Sequence, residues 1–433
     1  MVATIVISVL AFVGVIASII FIPHFKIGKV TIDTYWIFPL IAAIILLATS
    51  LAPFNEVISS LTSDASINPL KILGLFFSMT IISVYLDELG LFKYLAIKAA
   101  KKAGSNQFVL FLILYLLVAV LTIFTSNDVV ILTFTPFICF FAKRTKINPL
   151  PYLIAEFAAA NTWSMMFIIG NPTNIYLGTS AGITFIDYFK VMAIPTLIAG
   201  VVQLGIIFLI FFKKLKEPIS AEDEEYKIES KVDLIVGLTI LISVLILLII
   251  SNYIHLEMYL ISLIGAITLL LISLFIRLFT KKNWNYLKDS LVRLPYQLIP
   301  FILSMFVIVV ALSYQGISEH ISSFLNKGSS IWIYGISSFI SANIINNIPM
   351  SILFSNLVSG LTGKAYLEGV YSSIIGSNIG AIFTPIGALA GIMFSSLLNK
   401  HDIKFSFLSF IKYGSIISIP TLAISLLFLM IVL

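Results

Sequence analysis

Long apolar runs alternate with short polar connections along almost the whole chain. A helix needs roughly 20 apolar residues to cross about 30 Å of hydrocarbon. On that measure the pattern predicts spans at 3–22, 34–52, 69–87, 107–125, 126–142, 185–212, 232–252, 256–279, 296–314, 330–345, 346–360 and 405–431. Two more segments, 148–180 and 367–398, are apolar but broken by Asn, Thr, Gly and Pro. They read as re-entrant units, each joined to a crossing. Stretches 88–104 and 315–328 carry mixed charge with apolar residues at helical spacing, which predicts helices lying along the interface. The N-terminal run Ala3 to Ile22 lacks a basic n-region and a small-residue cleavage site. It reads as a first span rather than a cleaved signal.

The expected fold is therefore an all-α polytopic membrane protein. Landmarks recur in the same order in the two halves, at spacings of 217 to 226 residues. Ala193-Ile194-Pro195-Thr196-Leu197 returns as Ser418-Ile419-Pro420-Thr421-Leu422, and Gly90 returns as Gly316. Ser126-Asn127-Asp128 matches Ile345-Asn346-Asn347, and Ala160-Asn161-Thr162 matches Ser377-Asn378-Ile379. This repetition predicts two inverted repeats of about five to six spans each, with re-entrant hairpins and broken helices. Residues 1–212 form the first repeat, 213–231 a cytoplasmic linker and 232–433 the second. The linker contains Glu222-Asp223-Glu224-Glu225, too charged to sit in lipid.

Composition agrees with the pattern. The chain has 433 residues, of which 60% are hydrophobic and 11% charged, against about 25% charged in soluble proteins. The net charge of +6 follows from basic residues in short loops rather than from a nucleic-acid surface. An outside N-terminus puts nineteen of the 26 Lys and Arg inside and leaves Lys71, Lys190, Lys327, Lys364, Lys400, Lys404 and Lys412 outside. The single Cys139 excludes an intrachain disulfide and a cysteine-cluster metal site. No phosphate-binding GxxxxGK[ST] loop is present, and the four histidines form no cluster. These absences point to a transporter rather than an enzyme, with no cofactor beyond a coupling ion.

Candidate chemistry lies where polar residues interrupt apolar sequence, because such groups at membrane depth must face protein or a wet cavity. Asn127, Asn161, Asn346, Asn347 and Asn378 occupy matching places in the two halves, and an amide offers an acceptor for a cation and donors for an anion. With Thr162, Asn171, Thr173 and Thr384 they form the predicted substrate site. Pro172, Pro349 and Pro385 free backbone carbonyls beside them. Asp128, with Asn127 and Asn346, is the predicted coupling-ion group, for Na⁺ or a proton. The bland reading of a lone intramembrane Asn is a bond between helices; five at repeat-related positions favour a site. Glu156 reads as an interfacial residue, with proton carriage as its alternative. Asp87 and Glu88 read as interfacial capping or packing residues.

At these residues the chain resembles the ion transporter superfamily, most closely the arsenical-pump membrane protein (arsenite permease) family. The resemblance rests on Leu86-Asp87-Glu88-Leu89-Gly90-Leu91-Phe92, on Asn127-Asp128 followed by the run to Thr135-Pro136, on Asn346-Asn347-Ile348-Pro349 and on Thr384-Pro385-Ile386-Gly387. It implies inverted repeats with the substrate between them, and expulsion of arsenite and antimonite in exchange for protons. Two departures stand out. The family leads one to expect aspartates at Asn161 and Asn378, and a basic residue within Gly380-Ala381-Ile382-Phe383. Meanwhile Gly170-Asn171-Pro172-Thr173-Asn174 is similar to the anion and citrate branches. The superfamily also contains dimers, and some arsenite permeases recruit a soluble ATPase, so the resemblance implies a homodimer and a soluble ATPase as partners alongside the lipid bilayer.

The expectation is a multi-pass cell-membrane protein, a secondary active, ion-coupled transporter of a small oxyacid or anion of the arsenite type. The alternatives are a Na⁺-coupled carboxylate or inorganic anion symporter and a Na⁺/H⁺ antiporter.

Overall fold

The computed structural model describes the whole chain except residues 23, 28–29, 63–67, 218–227, 229, 252 and 281–284. The acidic run Glu222-Asp223-Glu224-Glu225 lies outside the described residues. In hydrocarbon a helix satisfies every backbone donor and acceptor within its own segment, and the apolar runs fold accordingly. Ten helices make up the first half: α1 (Val2–Phe21), α2 (Ile37–Ala48), α3 (Phe54–Thr62), α4 (Pro69–Glu88), α5 (Leu91–Ala103), α6 (Gln107–Phe124), α7 (Asn127–Thr145), α8 (Leu150–Trp163), α9 (Pro172–Ser180) and α10 (Phe185–Phe211). Ten follow in the second: α11 (Lys231–Ile249), α12 (Met258–Thr280), α13 (Asn285–Val292), α14 (Leu298–Tyr314), α15 (Ile317–Leu325), α16 (Ser330–Ile345), α17 (Asn347–Val358), α18 (Gly363–Gly380), α19 (Leu389–Lys400) and α20 (Phe407–Val432). A short antiparallel ribbon, His24–Ile27 with Val30–Asp33, joins α1 to α2.

The second set repeats the first helix for helix. Gly90 and Gly316 are the N-caps of α5 and α15, with φ of 83° and 73°, a left-handed conformation that glycine adopts without a Cβ penalty. Each allows the chain to turn abruptly out of a span, and α14 and α15 meet at 81°. Pro195 and Pro420 sit inside α10 and α20, which pack against each other. Packing is exchanged between the halves. α4 lies on α11, α12 and α13, whereas its counterpart α14 lies on α1, α2 and α3. Such reciprocity is what a two-fold relation between the repeats requires.

Side-chain contacts give the run of the helices. Tyr152 at the start of α8 bonds Gln107 at the start of α6, and Trp163 at its end bonds Tyr115 farther along α6, so α6 and α8 are parallel. Asn127 meets Asn161 and Thr135 meets Glu156, so α7 runs antiparallel to α8. Hence α6 and α7 form a helical hairpin. Its tip, Thr125 to Asn127, is buried beside residue 161, part-way along the broken crossing formed by α8 and α9. In the second half Ser330 lies by Ser372 and Gly335 by Gly376, whereas Val358 lies by Gly369 and Asn347 by Gly387. The hairpin there is α16 and α17.

The re-entrant elements are therefore 107–145 and 330–358, and the segments read from sequence as re-entrant, 148–180 and 367–398, are broken crossings. Taking 107–145 and 330–358 as hairpins leaves five crossing elements in each half, α1, α2, α4, α8–α9 and α10, then α11, α12, α14, α18–α19 and α20; of these α4, α10, α11, α12 and α20 are long and apolar enough to span on their own. An odd number of crossings inverts the second repeat against the first. It also corrects the side assigned to Lys400, Lys404 and Lys412. Tyr413 stacks on Phe211 at the end of α10, and Phe405 stacks on Tyr413. This end of α20 thus shares a face with residues 143–149 and 213–217. Lys71, Lys190, Lys327 and Lys364 remain opposite, a stronger asymmetry of the kind that marks the cytoplasmic side.

α16 and α18 approach so closely that a Cβ on Gly376 would lie 2.0 Å from Ser338 Oγ and 2.1 Å from the Gly335 carbonyl. Gly376→Ala should destabilise the protein by about 1–3 kcal/mol, as overpacking does, seen as a lower thermal midpoint in detergent. Single cysteines replacing Lys404 and Lys146 should label from one side of the membrane and a cysteine replacing Lys364 from the other. Labelling of positions 404 and 364 from the same side would refute the threading.

Candidate functional site

The two broken crossings and the two hairpin tips meet in a buried, uncharged cluster. Asn127, the first residue of α7, donates from Nδ2 to Asn161 Oδ1 at 3.3 Å. Asn161 in turn donates to the Phe157 carbonyl, at 2.8 Å, and Asn378 donates to the Ile374 carbonyl, at 2.9 Å. Both amides are thus held by the carbonyl four residues back on their own helices. The Ser164 hydroxyl has two acceptors in reach, the Asn161 carbonyl at 2.8 Å and Asn378 Oδ1 at 3.0 Å. Asn378 Nδ2 donates to Asn174 Oδ1 at 2.7 Å, and Asn174 donates to the Ser164 carbonyl at 2.8 Å. A continuous chain of amides and one hydroxyl therefore links the first hairpin tip, α8, α18 and α9.

The second tip is fastened to the loop after α18. Asn346 caps α17, its Oδ1 accepting from the Ile348 N–H at 3.4 Å and its Nδ2 donating to the Ile386 carbonyl at 2.9 Å. The Asn347 N–H donates to the Gly387 carbonyl at 3.1 Å. Thr384 donates to Asn343 Oδ1 at 2.6 Å, and Asn343 Nδ2 reaches the carbonyls of Phe339 and Gly380 at 2.9 Å each. Asn346 has φ 72° and ψ 155°, a region that side-chain-bearing residues avoid at a cost of about 1–3 kcal/mol. Its own amide bonds hold it there.

Other predicted residues take different positions. Asn171 caps α9, its Oδ1 accepting from both the N–H and the hydroxyl of Thr173 at 3.0 Å. Thr162 turns away from the cluster to accept from Gln203 Nε2 at 2.7 Å, within a network of Tyr115, Trp163 and Gln203 that ties α6 and α8 to α10. Asp128 also faces away from the amides. It lines a cavity of about 300 Å³ with Ser126, Thr80, Gln297, Arg293 and Lys400. The cavity opens on the Lys- and Arg-rich face, so the first hairpin tip is approached from that side. At its mouth Arg293 pairs with Asp87 at 2.8 Å and with Glu88, so those two acids join α4 to the segment before α14. A second pocket, about 550 Å³ on the opposite face, is lined by Lys71, Thr179, Thr184, His255, Glu257 and Tyr259 and reaches none of the break residues. Glu156 is not interfacial: it is buried between α7 and α8.

Five buried polar atoms around the breaks have no protein hydrogen-bond partner: Ser126 Oγ, Asn127 Oδ1, Asn171 Nδ2, Asn347 Oδ1 and Ser377 Oγ. Four accept and one donates, apart from the hydroxyl protons. The N-termini of α7, α9, α17 and α19 lie at the same breaks and carry partial positive charge. The cluster can therefore bind a polar solute through donors and acceptors without a charged side chain of its own. Ser164, Asn174 and Asn343 belong to it but were absent from the predicted set. Ser164 and Asn174 stand in the motifs read from sequence; the helix starts align Asn127 with Asn347, one residue off the sequence match of Asn127 with Asn346, so Asn343 has an apolar repeat counterpart, Ile123, and gave no signal.

The citrate transporter profile (CitMHS) matches residues 16–368. The chain belongs to the citrate transporter family. The arsenical pump membrane protein of Escherichia coli (strain K12) is 26% identical over 373 residues, covering 81% of this chain and 84% of that protein. An uncharacterized transporter of Mycobacterium tuberculosis (strain ATCC 25618 / H37Rv) is 25% identical over 374 residues, covering 83% and 85%. The crystal structure of the Alcanivorax borkumensis YdaH transporter, 12% identical, superposes with a TM-score of 0.56 over 99% of this chain and 97% of that one, a likeness of fold. This member of the citrate transporter family is thus a multi-pass membrane transporter, and the arsenical-pump resemblance read from its motifs is met by its relatives.

Replacing Asn346 separates strain from bonding. Asn346→Ala loses both amide bonds and keeps a Cβ at positive φ; it should cost about 1–3 kcal/mol. Asn346→Gly loses the same bonds but relieves the backbone, and should cost clearly less. Equal losses in thermal unfolding would show that the tip stores no strain.

Proposed function

We propose that this transporter is a secondary active, ion-coupled permease for a small oxyacid or anion of the arsenite type, working by alternating access. The observation that carries the reading is the amide chain from Asn127 through Asn161, Ser164 and Asn378 to Asn174, with Asn127 Oδ1, Asn347 Oδ1 and Asn171 Nδ2 left unpaired beside it. A site of neutral donors and acceptors suits a hydroxyl-bearing oxyacid that is itself uncharged or singly charged. A multiply charged carboxylate calls for fixed cations, and those near the site, Arg293 and Lys400, stand on the approach. Arg293 is already paired with Asp87 and Glu88 on that approach, so an anion's charge is complemented there by Lys400 and, at the breaks, by the helix N-termini.

Movement of the two tips about the shared amide chain supplies the alternation. The first tip is approached through the cavity on the Lys- and Arg-rich face. The inverted repeat provides the same construction facing the other way. A Na⁺-coupled symporter of a carboxylate or inorganic anion is the second reading. It is favoured by the unpaired oxygens of Ser126, Asn127, Asn347 and Ser377, which are hard ligands of the type that coordinates Na⁺ in transporters with broken helices.

Transport in proteoliposomes decides between them. Arsenite, citrate and phosphate are each offered under an imposed pH gradient or an imposed Na⁺ gradient. The proposal expects arsenite flux that follows the pH gradient and is indifferent to Na⁺. Citrate or phosphate accumulation that requires Na⁺, with arsenite immobile, would replace it with the second reading. Asn161→Ala and Asn378→Ala should each lower flux at least tenfold.

A further inference from the structure

Glu156 is 1% exposed, lies in the middle of α8 and takes no part in the amide cluster. Among the described residues its side chain bonds one hydroxyl: Thr135 Oγ1, on hairpin arm α7, stands 2.9 Å from Oε1 and 3.0 Å from Oε2. A hydroxyl has one proton to give and can accept another. A neutral carboxyl fits this arrangement, because Thr135 donates to one oxygen and receives the proton of the other. A carboxylate would have one donor for two buried charged oxygens, an expensive state without a cation. The titratable groups on the helices packed around it are Tyr115 on α6; Asp128, Cys139, Lys143 and Arg144 on α7; Tyr152 on α8 itself; Asp187, Tyr188 and Lys190 on α10; and Lys364, Tyr366, Glu368 and Tyr371 on α18. The cations of this set, Lys143, Arg144, Lys190 and Lys364, are exposed, whereas Glu156 is buried.

The fold does not need this carboxyl. At the corresponding places in the second half, Ser355 and Ser373 bond the Ile352 and Gly369 carbonyls of their own helices, at 2.8 Å and 2.6 Å. They make no bridge between the hairpin arm and the crossing. In the first half the bridge exists, and the helix that carries Thr135 also carries the tip. α7 presents Asp128, Val129 and Leu132 to the cavity and, on the next turn, Thr135 to Glu156. Pro136 lies inside α7 directly after Thr135, where its missing N–H leaves the Leu132 carbonyl without a ladder bond. A helix weakened there can swing its first turns independently of its end. When it does, Thr135 leaves Glu156, cavity water reaches the carboxyl, and Asn127 parts from Asn161.

We infer that Glu156 carries the coupling proton of transport, bound while α7 is closed on α8 and exchanged with cavity water when the hairpin opens. The step is a protonation: an O–H bond forms between a proton delivered by water and a Glu156 carboxylate oxygen, and breaks on release. Proton and cargo are then linked through the position of one helix, and each shifts the affinity for the other by the same factor. This rests on the ion-coupled reading above and names the group that holds the ion.

The test uses the full chain in proteoliposomes with an entrapped pH indicator and labelled arsenite, with labelled citrate and phosphate in parallel. Wild type should accumulate its cargo under a pH gradient and move protons with it. Glu156→Gln, which keeps the shape and one donor, should lose accumulation and proton movement at least tenfold while still exchanging labelled for unlabelled cargo. Glu156→Asp should retain part of the coupling, and Thr135→Val should displace the pH dependence of flux. Accumulation by Glu156→Gln driven by the pH gradient would overturn the proposal, as would equal loss of exchange and accumulation in a variant with unchanged thermal midpoint. A separate measurement is independent of the cargo. The thermal midpoint of purified wild type should fall as pH rises, because the neutral buried acid must ionise, and that dependence should be weaker in Glu156→Gln, where Asp128 still titrates. If no probe crosses under any gradient, the transport reading fails on its own. A midpoint equally pH-dependent in both proteins would then remove Glu156 as the proton site.

Discussion

Everything at the centre of this protein follows from breaking helices where water cannot repair them. Residues 164–171 and 381–388 interrupt two crossings, and the hairpins turn at Thr125–Ser126 and Asn346, at positions that are buried apart from the half-buried Phe167, Phe383 and Pro385. Each freed donor or acceptor that stayed unpaired in hydrocarbon would cost several kcal/mol, whereas an interhelical hydrogen bond in a membrane yields only about 0.6–2 kcal/mol. The amides are therefore held in place by the penalty of leaving rather than by the gain of pairing. That inequality makes the network exchangeable. A solute that brings its own donors and acceptors can replace a protein partner at small net cost, while lipid cannot.

The two-fold construction gives that exchange a direction. Because α4 rests on helices of the second half and α14 on helices of the first, neither repeat encloses its own core. In the alternating access proposed above, what would alternate is the pairing of tips and broken crossings across the shared centre. Asn378, contributed by the second half, reaches Ser164 and Asn174 of the first, so a shift of one repeat against the other is felt directly in the amide chain. Arg293, paired with Asp87 and Glu88 at the cavity mouth, fastens the end of α4 to the approach by which the first tip is reached.

Much of this architecture was legible because it rests on residues with restricted backbone choices. Gly90 and Gly316 mark equivalent left-handed turns, Pro195 and Pro420 equivalent positions in long helices, and Asn161 and Asn378 make the same backbone bond on equivalent helices. Hydropathy failed where length alone had to decide. α6 is long and apolar enough to pass as a crossing, yet only the contacts of Asn127 and Thr135 with α8 reveal that the chain turns back. Counting α6 and α7 as crossings still returned the chain to its starting side; the second broken crossing was the point where Lys400, Lys404 and Lys412 went to the wrong face. The direction of a side chain was equally hidden. Thr162 follows Asn161 in sequence and points to α10, and Asp128 follows Asn127 and points to the cavity.

The chemistry departs from the symmetry that the backbone keeps. Asp128 and Glu156 have apolar or hydroxyl counterparts in Ile348 and Ser373, and Ser164 corresponds to Ala381. These two carboxyls belong to the first hairpin and its crossing, one facing the cavity and one sealed behind it, whereas the second half's buried Asp233, on the first turn of α11, is paired with Arg277. On the coupling proposed above, protonation of a carboxyl in the first half would bias that half's hairpin alone, and it shifts the equilibrium only by the difference in proton affinity between the two states. The second half, which bonds its hydroxyls to its own backbone, then serves as the neutral counterpart against which the first half moves.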